Sequence, residues 1–264
     1  MSGHAHDLAA DARLAGELVR AAGQFALRMR AEGAAAGGLG SEQKTSVSDI
    51  VTAADHAAER MIVERLARER PGDGILAEEG SRATGTSGRT WVIDPVDGTY
   101  NFHSGLPWWC SALALVDADD VLLGAVHHPH DDTLFLGGPD LPSTRDGAPL
   151  GRVPDLPLAE VCATTYLHYP RATPDIATAF ARVAGHAATV RMLGSGSMDA
   201  MAIAQGQLGV SFQHTVADWD RLPGAAIIRG AGGEASRIEA AGVVWSVAGS
   251  PTAVAEVRDL LADR

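Results

Sequence analysis

The stretch Trp91-Val-Ile-Asp-Pro-Val-Asp-Gly-Thr-Tyr-Asn-Phe102 decides the fold. Its first residues are apolar and predict a buried strand, and Gly98-Thr99 predicts a turn where that strand ends. Asp94 and Asp97 flank Pro95-Val96. Because proline fixes φ, we expect a stiff corner that directs both carboxylates to one point.

Rigid paired carboxylates are typical ligands of hard divalent cations such as Mg²⁺. Gly98 allows the backbone to approach a ligand closely. If Gly98 and Thr99 begin a helix or turn, their N–H groups would face a phosphate held by those cations. The stretch therefore predicts one pocket shared by a metal ion and an anion.

Asp94-Pro-Val-Asp97-Gly98-Thr99, followed by Asn101-Phe102, resembles the signature of the inositol monophosphatase family of Mg²⁺-dependent, often lithium-sensitive phosphatases. Two further stretches match that family in the same order. They are residues 49–55 with Glu78-Glu79, and Trp219-Asp220 with Ala231-Gly-Gly233. The resemblance covers most of the chain. It implies a layered sugar-phosphatase fold of the α/β class, with an N-terminal α+β lobe around an antiparallel sheet (residues 1–142) and a C-terminal α/β lobe (residues 143–264).

The resemblance also implies two or three Mg²⁺ ions and a set of ligands for them. These ligands would be Glu78, Asp94, Asp97, Asp220 and the backbone carbonyl of Val96. The ions would neutralise the phosphate and activate a water molecule that Glu78 and Thr99 orient. Asp55 would be an outer acid that helps to hold the ions or their waters. Without the resemblance, the position of Asp55 and Asp220 would indicate only acids that begin a helix.

The substrate side is also assigned by resemblance. Its candidates are Asp97, Gly98, Thr99, Gly194, Ser195, Gln213 and Asp220, with Lys44 and Glu79 in supporting positions. Neighbouring side chains of a strand point to opposite faces, so we choose Glu78 rather than Glu79 as the ligand. A Glu is usual in inositol phosphatases where this chain has Gln213, which keeps hydrogen bonding but drops the charge. Arg221-Leu-Pro223 after Asp220 is a second departure from the family.

The substrate stays open within one chemistry. We expect a small polyol or sugar phosphate, with myo-inositol 1-phosphate first and histidinol phosphate second. Adenosine 3′,5′-bisphosphate and fructose 1,6-bisphosphate are further alternatives. No aspartyl phosphoenzyme is expected, because Asp94 and Asp97 are three residues apart and do not form an Asp-x-Asp pattern. The non-enzyme alternatives are a catalytically silent binding or regulatory protein and a structural metal-binding domain.

Composition bounds the remaining classes of function. The chain has 264 residues, 46% of them hydrophobic, which is enough for a large core. A formal charge of −12 argues against nucleic acid or an anionic membrane as the main partner. The sequence has no long apolar run and no leader-like N-terminus, so we expect a soluble, cytoplasmic protein. Cys110 and Cys162 are expected to be buried, reduced thiols, and the resemblance implies a homodimer.

The pattern along the chain predicts most of the regular elements. Before the central stretch it predicts helices at 8–30 and 53–69, a loop at 33–41 and a short strand from Ile75, with Thr52 as the cap of the second helix. After it, segments 111–116 and 121–126 predict a hairpin, and 134–136 a further strand. The group His127, His128 and His130 is more typical of a surface turn than of a metal site.

Residues 137–157 are rich in Gly, Pro and Asp and predict the crossing between the lobes. Strands and helices then alternate. Strands are predicted at 161–165, 190–192, 208–212 and 243–247, and helices at 174–185, after the Gly194-Ser-Gly-Ser197 turn, from Asp218 and after Pro251. Asp218 is expected to cap its helix.

Overall fold

A computed structural model describes residues 8–35, 41–43, 50–118, 120–167 and 173–262. Lys44, Asp49 and the side chain of Thr52 lie outside what it describes, as does most of the predicted loop at 33–41. The helices are α1 (Leu8–Ala35), α2 (Ala53–Glu69), α3 (Thr99–His103), α4 (Pro174–His186), α5 (Gly196–Ala204), α6 (Asp218–Gly230) and α7 (Pro251–Ala262), with one 3₁₀ turn at Leu158–Glu160. None of the described helices is both long and apolar enough to cross a bilayer.

The strands form two large sheets and one short pair. Those that precede residue 150 are β1 (Ser41–Gln43), β2 (Ile50–Thr52), β3 (Gly74–Ala77), β4 (Arg82–Ala83), β5 (Thr90–Asp97), β6 (Cys110–Val116), β7 (Val121–His128), β8 (Thr133–Gly138), β9 (Leu141–Arg145) and β10 (Ala148–Pro149). The later strands are β11 (Cys162–Thr164), β12 (Thr189–Arg191), β13 (Val210–His214), β14 (Glu234–Ala240) and β15 (Val243–Gly249).

The first sheet has the order β10-β9-β8-β7-β6-β5-β3-β4. All its neighbours are antiparallel except β3 and β5, which are parallel. The predicted hairpin is confirmed as β6 and β7. The prediction that residues 137–157 only connect two lobes is wrong, because β9 and β10 extend the sheet to Pro149. The division at residue 142 stays a prediction, and this position falls within β9.

Helices cover this sheet on both faces. Trp91, Ile93 and Leu113 pack with α1 and α2 in one core cluster, and their neighbour Val92 packs on the opposite face with Ala226 of α6. Side chains alternate between the faces of a strand, so a strand covered on both faces is apolar at most positions. The uninterrupted apolar run at the start of the central stretch has this origin.

α5 and α6 come from the C-terminal part of the chain but pack against the first sheet. Met201 and Ile227 share a buried cluster with Ala112 and Val126 of β6 and β7. The approach is close at Gly124, where an added Cβ would lie 2.2 Å from the carbonyl oxygen of Pro223. α6 continues through Pro223.

The second sheet has the order β12-β11-β13-β15-β14. β12, β11 and β13 are parallel, and β15 and β14 are antiparallel to their neighbours. One face carries Phe212 and Trp245, which pack with α4 and α7. The alternation predicted for this part of the chain is confirmed, but β14 was not predicted, because its sequence mixes charged and apolar residues.

Two local predictions need correction. His127 does not lie in a surface turn: it is a fully buried residue of β7, with Nε2 2.9 Å from Oδ1 of Asp132. Asp218 does not cap α6, because the cap position is Ala217 and makes no side-chain cap bond, while Asp218 accepts from Arg221. Cys110 is a buried free thiol as expected, whereas Cys162 is only half-buried.

Candidate active site

The end of β5 places both aspartates of the central stretch on one side. Asp94 pairs with Ala112 and Asp97 with Cys110, so three steps on β5 match two steps on β6. This is a bulge, with one extra residue in the strand. In a regular strand, residues three apart point to opposite faces. The bulge between Asp94 and Asp97 therefore brings the two carboxylates together, as the predicted corner requires.

Asp94, Asp97 and Asp220 each offer an oxygen, and these oxygens lie within 4.8 Å of one another. Asp220 is in the first turn of α6 and comes from a segment more than 100 residues away. Among the residues that the structure describes, this is the group of three His, Cys, Asp or Glu side chains arranged to hold a metal ion. The three histidines near residue 128 form no such group.

Burial and mutual repulsion shift the titration of this cluster. Burial raises the pKa of Asp94 well above its usual range, and the charges of Glu78, Asp97 and Asp220 raise it further. The pKa of Asp220 is raised well above its usual range by burial and then by Asp97 and Glu78. Burial also raises the pKa of Asp97, against hydrogen bonds from Ser197 that lower it. A cation among these groups would favour the charged carboxylates.

The donor set fits a hard divalent cation. All the candidate ligand atoms are oxygens, which such ions prefer. Oδ1 of Asp94 accepts the N–H of Val96 at 3.1 Å, whereas Oδ2 is buried and accepts no hydrogen bond from the described residues. A buried carboxylate oxygen without a donor is costly unless an ion or water occupies the position next to it.

Glu78 lies beside this cluster but is not one of its three members. It is in the turn after β3, and its N–H donates to the carbonyl of Ile93 on β5 at 3.1 Å. Its charge acts on Asp94 and Asp220, which places its carboxyl near them. Glu79 has a different position: its N–H donates to Oε2 of Glu59 on α2, and its buried carboxyl lies 4.0 Å from Nδ1 of His56. The two acids therefore have different surroundings, but both lie in the turn after β3, so the alternation of a strand does not decide between them.

Thr99 joins Asp55 to the central stretch. Its Oγ1 lies 3.1 Å from Oδ1 of Asp55 and 3.0 Å from the carbonyl oxygen of Val96, and it can donate to either. Asp55 is in the first turn of α2 and is completely buried. A threonine of the central stretch can therefore contact a buried acid at the start of α2.

Asp97 also holds the start of α5. The N–H of Gly196 donates to its Oδ1 at 3.2 Å, and the N–H of Ser197 donates to its Oδ2 at 2.6 Å. A carboxylate at a helix N-terminus satisfies free N–H groups and complements the helix dipole. The side chain of Ser195 is occupied as well, since its Oγ accepts the N–H of Met198 as the helix cap.

Asn101 fixes the Gly194 turn against the central stretch. Its Nδ2 donates to the carbonyls of Trp108 and Leu193, each at 2.7 Å. Gly98 has φ of 93°, and an added Cβ would lie 3.1 Å from the carbonyl oxygen of Gly194. Only glycine adopts this conformation readily in so little space. The central stretch and the Gly194 turn therefore form one wall of the site.

A cleft of about 160 Å³ opens next to Asp220 and Gly196. It lies between α5 and α6 on one side and the second sheet on the other, and Gln213 of β13 lines it. The structure thus brings Asp220, Gly196 and the predicted substrate-side residue Gln213 to one cavity. Gly194 and Ser195 precede α5 and do not line this cleft.

Sequence reasoning missed Asp199, which lines the same cleft. Its Oδ1 accepts from Nε1 of Trp108 at 2.9 Å, and its Oδ2 accepts a short hydrogen bond from Thr164. Burial raises its pKa to about 6, although these two hydrogen bonds lower it. A single acid inside the apolar segment 198–204 was the signal that could have identified it.

The comparisons with known proteins agree with this geometry. The sequence profile of the inositol monophosphatase family matches residues 7–262. An inositol-1-monophosphatase of Rhizobium meliloti is 34% identical over 201 residues, 74% of each chain, and a fructose-1,6-bisphosphatase/inositol-1-monophosphatase of Thermotoga maritima is 33% identical over 192 residues, 73% of each chain. The solved SuhB of Mycobacterium tuberculosis superposes with a TM-score of 0.78 at 27% identity, covering 97% of both chains. The chain belongs to the inositol monophosphatase family, whose members are phosphoric monoester hydrolases.

Proposed function

We propose that this phosphatase uses Mg²⁺ to hydrolyse a small polyol or sugar phosphate, with myo-inositol 1-phosphate as the leading substrate. The observation that carries the proposal is the buried cluster of Asp94, Asp97 and Asp220, whose oxygens lie within 4.8 Å of one another. The names of relatives that match three quarters of the chain support the substrate class. The expected homodimer and lithium sensitivity belong to the same proposal.

The acids of the site share one part in this scheme, which is to hold the ions. Asp94, Asp97, Asp220, Glu78 and the carbonyl of Val96 would hold two or three ions. Mg²⁺ held there would supply positive charge for the phosphate and the leaving oxygen and would make a bound water molecule more acidic.

Residues of the chain would then orient the attacking water and the substrate. A Thr99 hydroxyl that donates to Asp55 keeps its lone pairs free to accept a hydrogen bond from the attacking water. Glu78, whose charge acts on Asp94, would accept a proton from that water. The N–H groups of Gly98 and Thr99 would face the phosphate, while Gln213 would bind a hydroxyl of the leaving group from the cleft.

The test is phosphate release at saturating Mg²⁺ from four compounds: myo-inositol 1-phosphate, histidinol phosphate, adenosine 3′,5′-bisphosphate and fructose 1,6-bisphosphate. Asp97→Asn is the variant that removes a ligand, and Asp140→Asn, at an exposed turn, is its matched control. The proposal expects the wild type and D140N to release phosphate and D97N to lose at least about 100-fold in rate. Release at the wild-type rate by D97N, or no release by the wild type, would contradict it.

A further inference from the structure

The turn that carries Glu78 lies at an edge of the first sheet. It joins β3 to β4, and β4 is the last strand of that sheet, with two residues that are both exposed. Segments at the edge of a sheet have few neighbours and open more readily than its centre. The charge of Glu78 also acts against those of Asp94 and Asp220. Repulsion would therefore push the Glu78 carboxyl, and the turn with it, away from the site.

A buried carboxylate of α2 holds this turn in place. Glu59 is 3% exposed, and each of its carboxylate oxygens accepts one backbone N–H. Oε2 accepts the N–H of Glu79 at 2.7 Å, and Oε1 accepts that of Ser81 at 3.0 Å. Hydrogen bonds to an ionised acceptor are stronger than those between neutral groups. Glu59 therefore fixes the backbone immediately after Glu78.

The chemistry of Glu59 suits this anchoring and not the packing of a helix. Burying a carboxylate is costly unless hydrogen bonds satisfy it, and the two N–H groups of the turn do so. Packing of α2 does not require an acid here, because Ala58 and Ile62 beside it join the apolar core cluster. A Gln in place of Glu59 would turn an NH₂ group toward one of the two N–H groups, so one hydrogen bond would be lost and two donors would meet.

α2 supports the Thr99 side of the site as well. Asp55 lies four residues before Glu59, so the two buried acids share one face of the helix and lie about 6 Å apart along its axis. Oδ1 of Asp55 lies 3.1 Å from Oγ1 of Thr99, while Glu59 holds the turn of Glu78. One helix therefore contacts both segments whose side chains are proposed to orient the attacking water.

We propose that Glu59 is a positioning residue of the phosphatase reaction, which holds the turn of Glu78 in a fixed position relative to Thr99. The inference rests on the proposed function and adds a residue to it. Glu59 does not contact the reacting atoms in this scheme and acts through Glu78. Loss of its hydrogen bonds would let the turn relax under the repulsion of the neighbouring acids. A displacement of about 1 Å in a reacting group costs up to about 100-fold in rate.

The first test is a double-mutant cycle on kcat. Glu256→Gln is the matched control for Glu59→Gln, because Glu256 of α7 accepts the N–H of Leu158 at 2.6 Å beside the second sheet. We expect E59Q to lower kcat for myo-inositol 1-phosphate by at least about 10-fold with KM changed by less than about 2-fold, and E256Q to leave both unchanged. In a Glu78→Gln background, E59Q should have no further effect on kcat. Equal fold-losses in both backgrounds, or an unchanged kcat in E59Q, would overturn the proposal.

The second test does not depend on turnover. Amide hydrogen exchange of the full chain in EDTA would compare the wild type, E59Q and E256Q. The proposal expects faster exchange at Glu79 and Ser81 in E59Q alone, with α2 protected as in the wild type. Unchanged protection of this turn in E59Q would overturn the proposal. If E59Q does not fold, Glu59→Asp takes its place, since it keeps the charge but is one methylene too short to reach both N–H groups.

Calorimetry with Mg²⁺ gives a further readout. The Kd for Mg²⁺ should rise by at least about 10-fold in E59Q, as is usual when a residue that orients a metal ligand is lost, and should not change in E256Q. An unchanged Kd in E59Q would overturn the proposal. If the exchange and Kd results are as expected but the wild type releases phosphate from none of the four compounds, the proposed hydrolysis fails while the anchoring of the Glu78 turn stands.

Discussion

Replacing Asp94 by Asn should stabilise the protein without metal and destabilise it relative to the wild type with metal. The carboxylates of Asp94, Asp97 and Asp220 are buried close together; burial raises the pKa of Asp94, and repulsion from the neighbouring acids raises it further. Asn removes the charge but keeps an oxygen that can accept the N–H of Val96. The substitution therefore removes repulsion at little cost in hydrogen bonding.

The magnitude follows from the spacing. Two unit charges at 4.8 Å, the upper limit on the distances between these oxygens, repel by about 3.5 kcal/mol at an effective dielectric constant of 20 and by about 0.9 kcal/mol in bulk water. In EDTA at pH 8, we expect D94N to be more stable than the wild type by about 1 to 3 kcal/mol. The pKa of Asp94 is higher in the folded wild type than in the unfolded chain, so the folded wild type binds more protons and gains stability as the pH falls. The advantage of D94N should therefore shrink between pH 8 and pH 5.

Metal should reverse the order of stability. An ion at 100 times its Kd stabilises the wild type by about 2.7 kcal/mol, and a variant that binds it poorly gains much less. Urea unfolding with EDTA and with saturating Mg²⁺ measures both effects, with Asp140→Asn as the exposed control. A D94N protein that is less stable than the wild type in EDTA at pH 8, or that gains the full Mg²⁺ stabilisation, would refute the reasoning.

Three further predictions concern the same site. Thr99→Ala should lower kcat by about 100-fold or more because it removes the hydroxyl next to Asp55. Thr99→Ser keeps that hydroxyl, so equal losses of kcat in the two variants in steady-state assays would exclude a role for it. Gly98→Ala should cost about 1–2 kcal/mol for its positive φ and more for its close approach to the Gly194 turn. Gly88→Ala, also at positive φ but with open space around it, isolates the first cost, so equal losses in urea unfolding would contradict the packing argument. The Mg²⁺ concentration that gives half-maximal activity should rise as the pH falls from 8 to 6, because protons compete for carboxylates whose pKa values are raised; a constant midpoint in a Mg²⁺ titration would count against this.

Local sequence patterns were sufficient for the long elements. The apolar spacing of α1 and α2, the turn between β6 and β7, and the Thr173 cap before Pro174 all depend on residues that are close in sequence. β9, β10 and β14 were missed because they are short or mixed in polarity, and tertiary pairing decides whether such segments become strands. The His127 error has the same cause, since a strand covered on both faces can bury a histidine that pairs with an acid.

The site was partly predictable for a related reason. The central stretch identifies Asp94 and Asp97, because the proline and glycine around them restrict the backbone. The bulge that turns them to one side depends on the register between β5 and β6, which local residue patterns do not specify. The contact of Asp97 with the start of α5 spans about 100 residues, and Asp199 lies in a segment with no motif. The family resemblance supplied Asp220, whereas residue patterns alone supplied only an acid at a helix start.

The most direct test of the metal-dependent phosphatase is phosphate release from myo-inositol 1-phosphate during a Mg²⁺ titration, with the wild type and Asp220→Asn compared at equal protein concentration. The account predicts that release by the wild type is abolished by EDTA, is restored by Mg²⁺ and saturates, and that D220N shows at least about a 100-fold loss at every Mg²⁺ concentration. Release that persists in EDTA, or a D220N protein with the wild-type Mg²⁺ dependence, would contradict the assignment of the carboxylate cluster as the catalytic metal site.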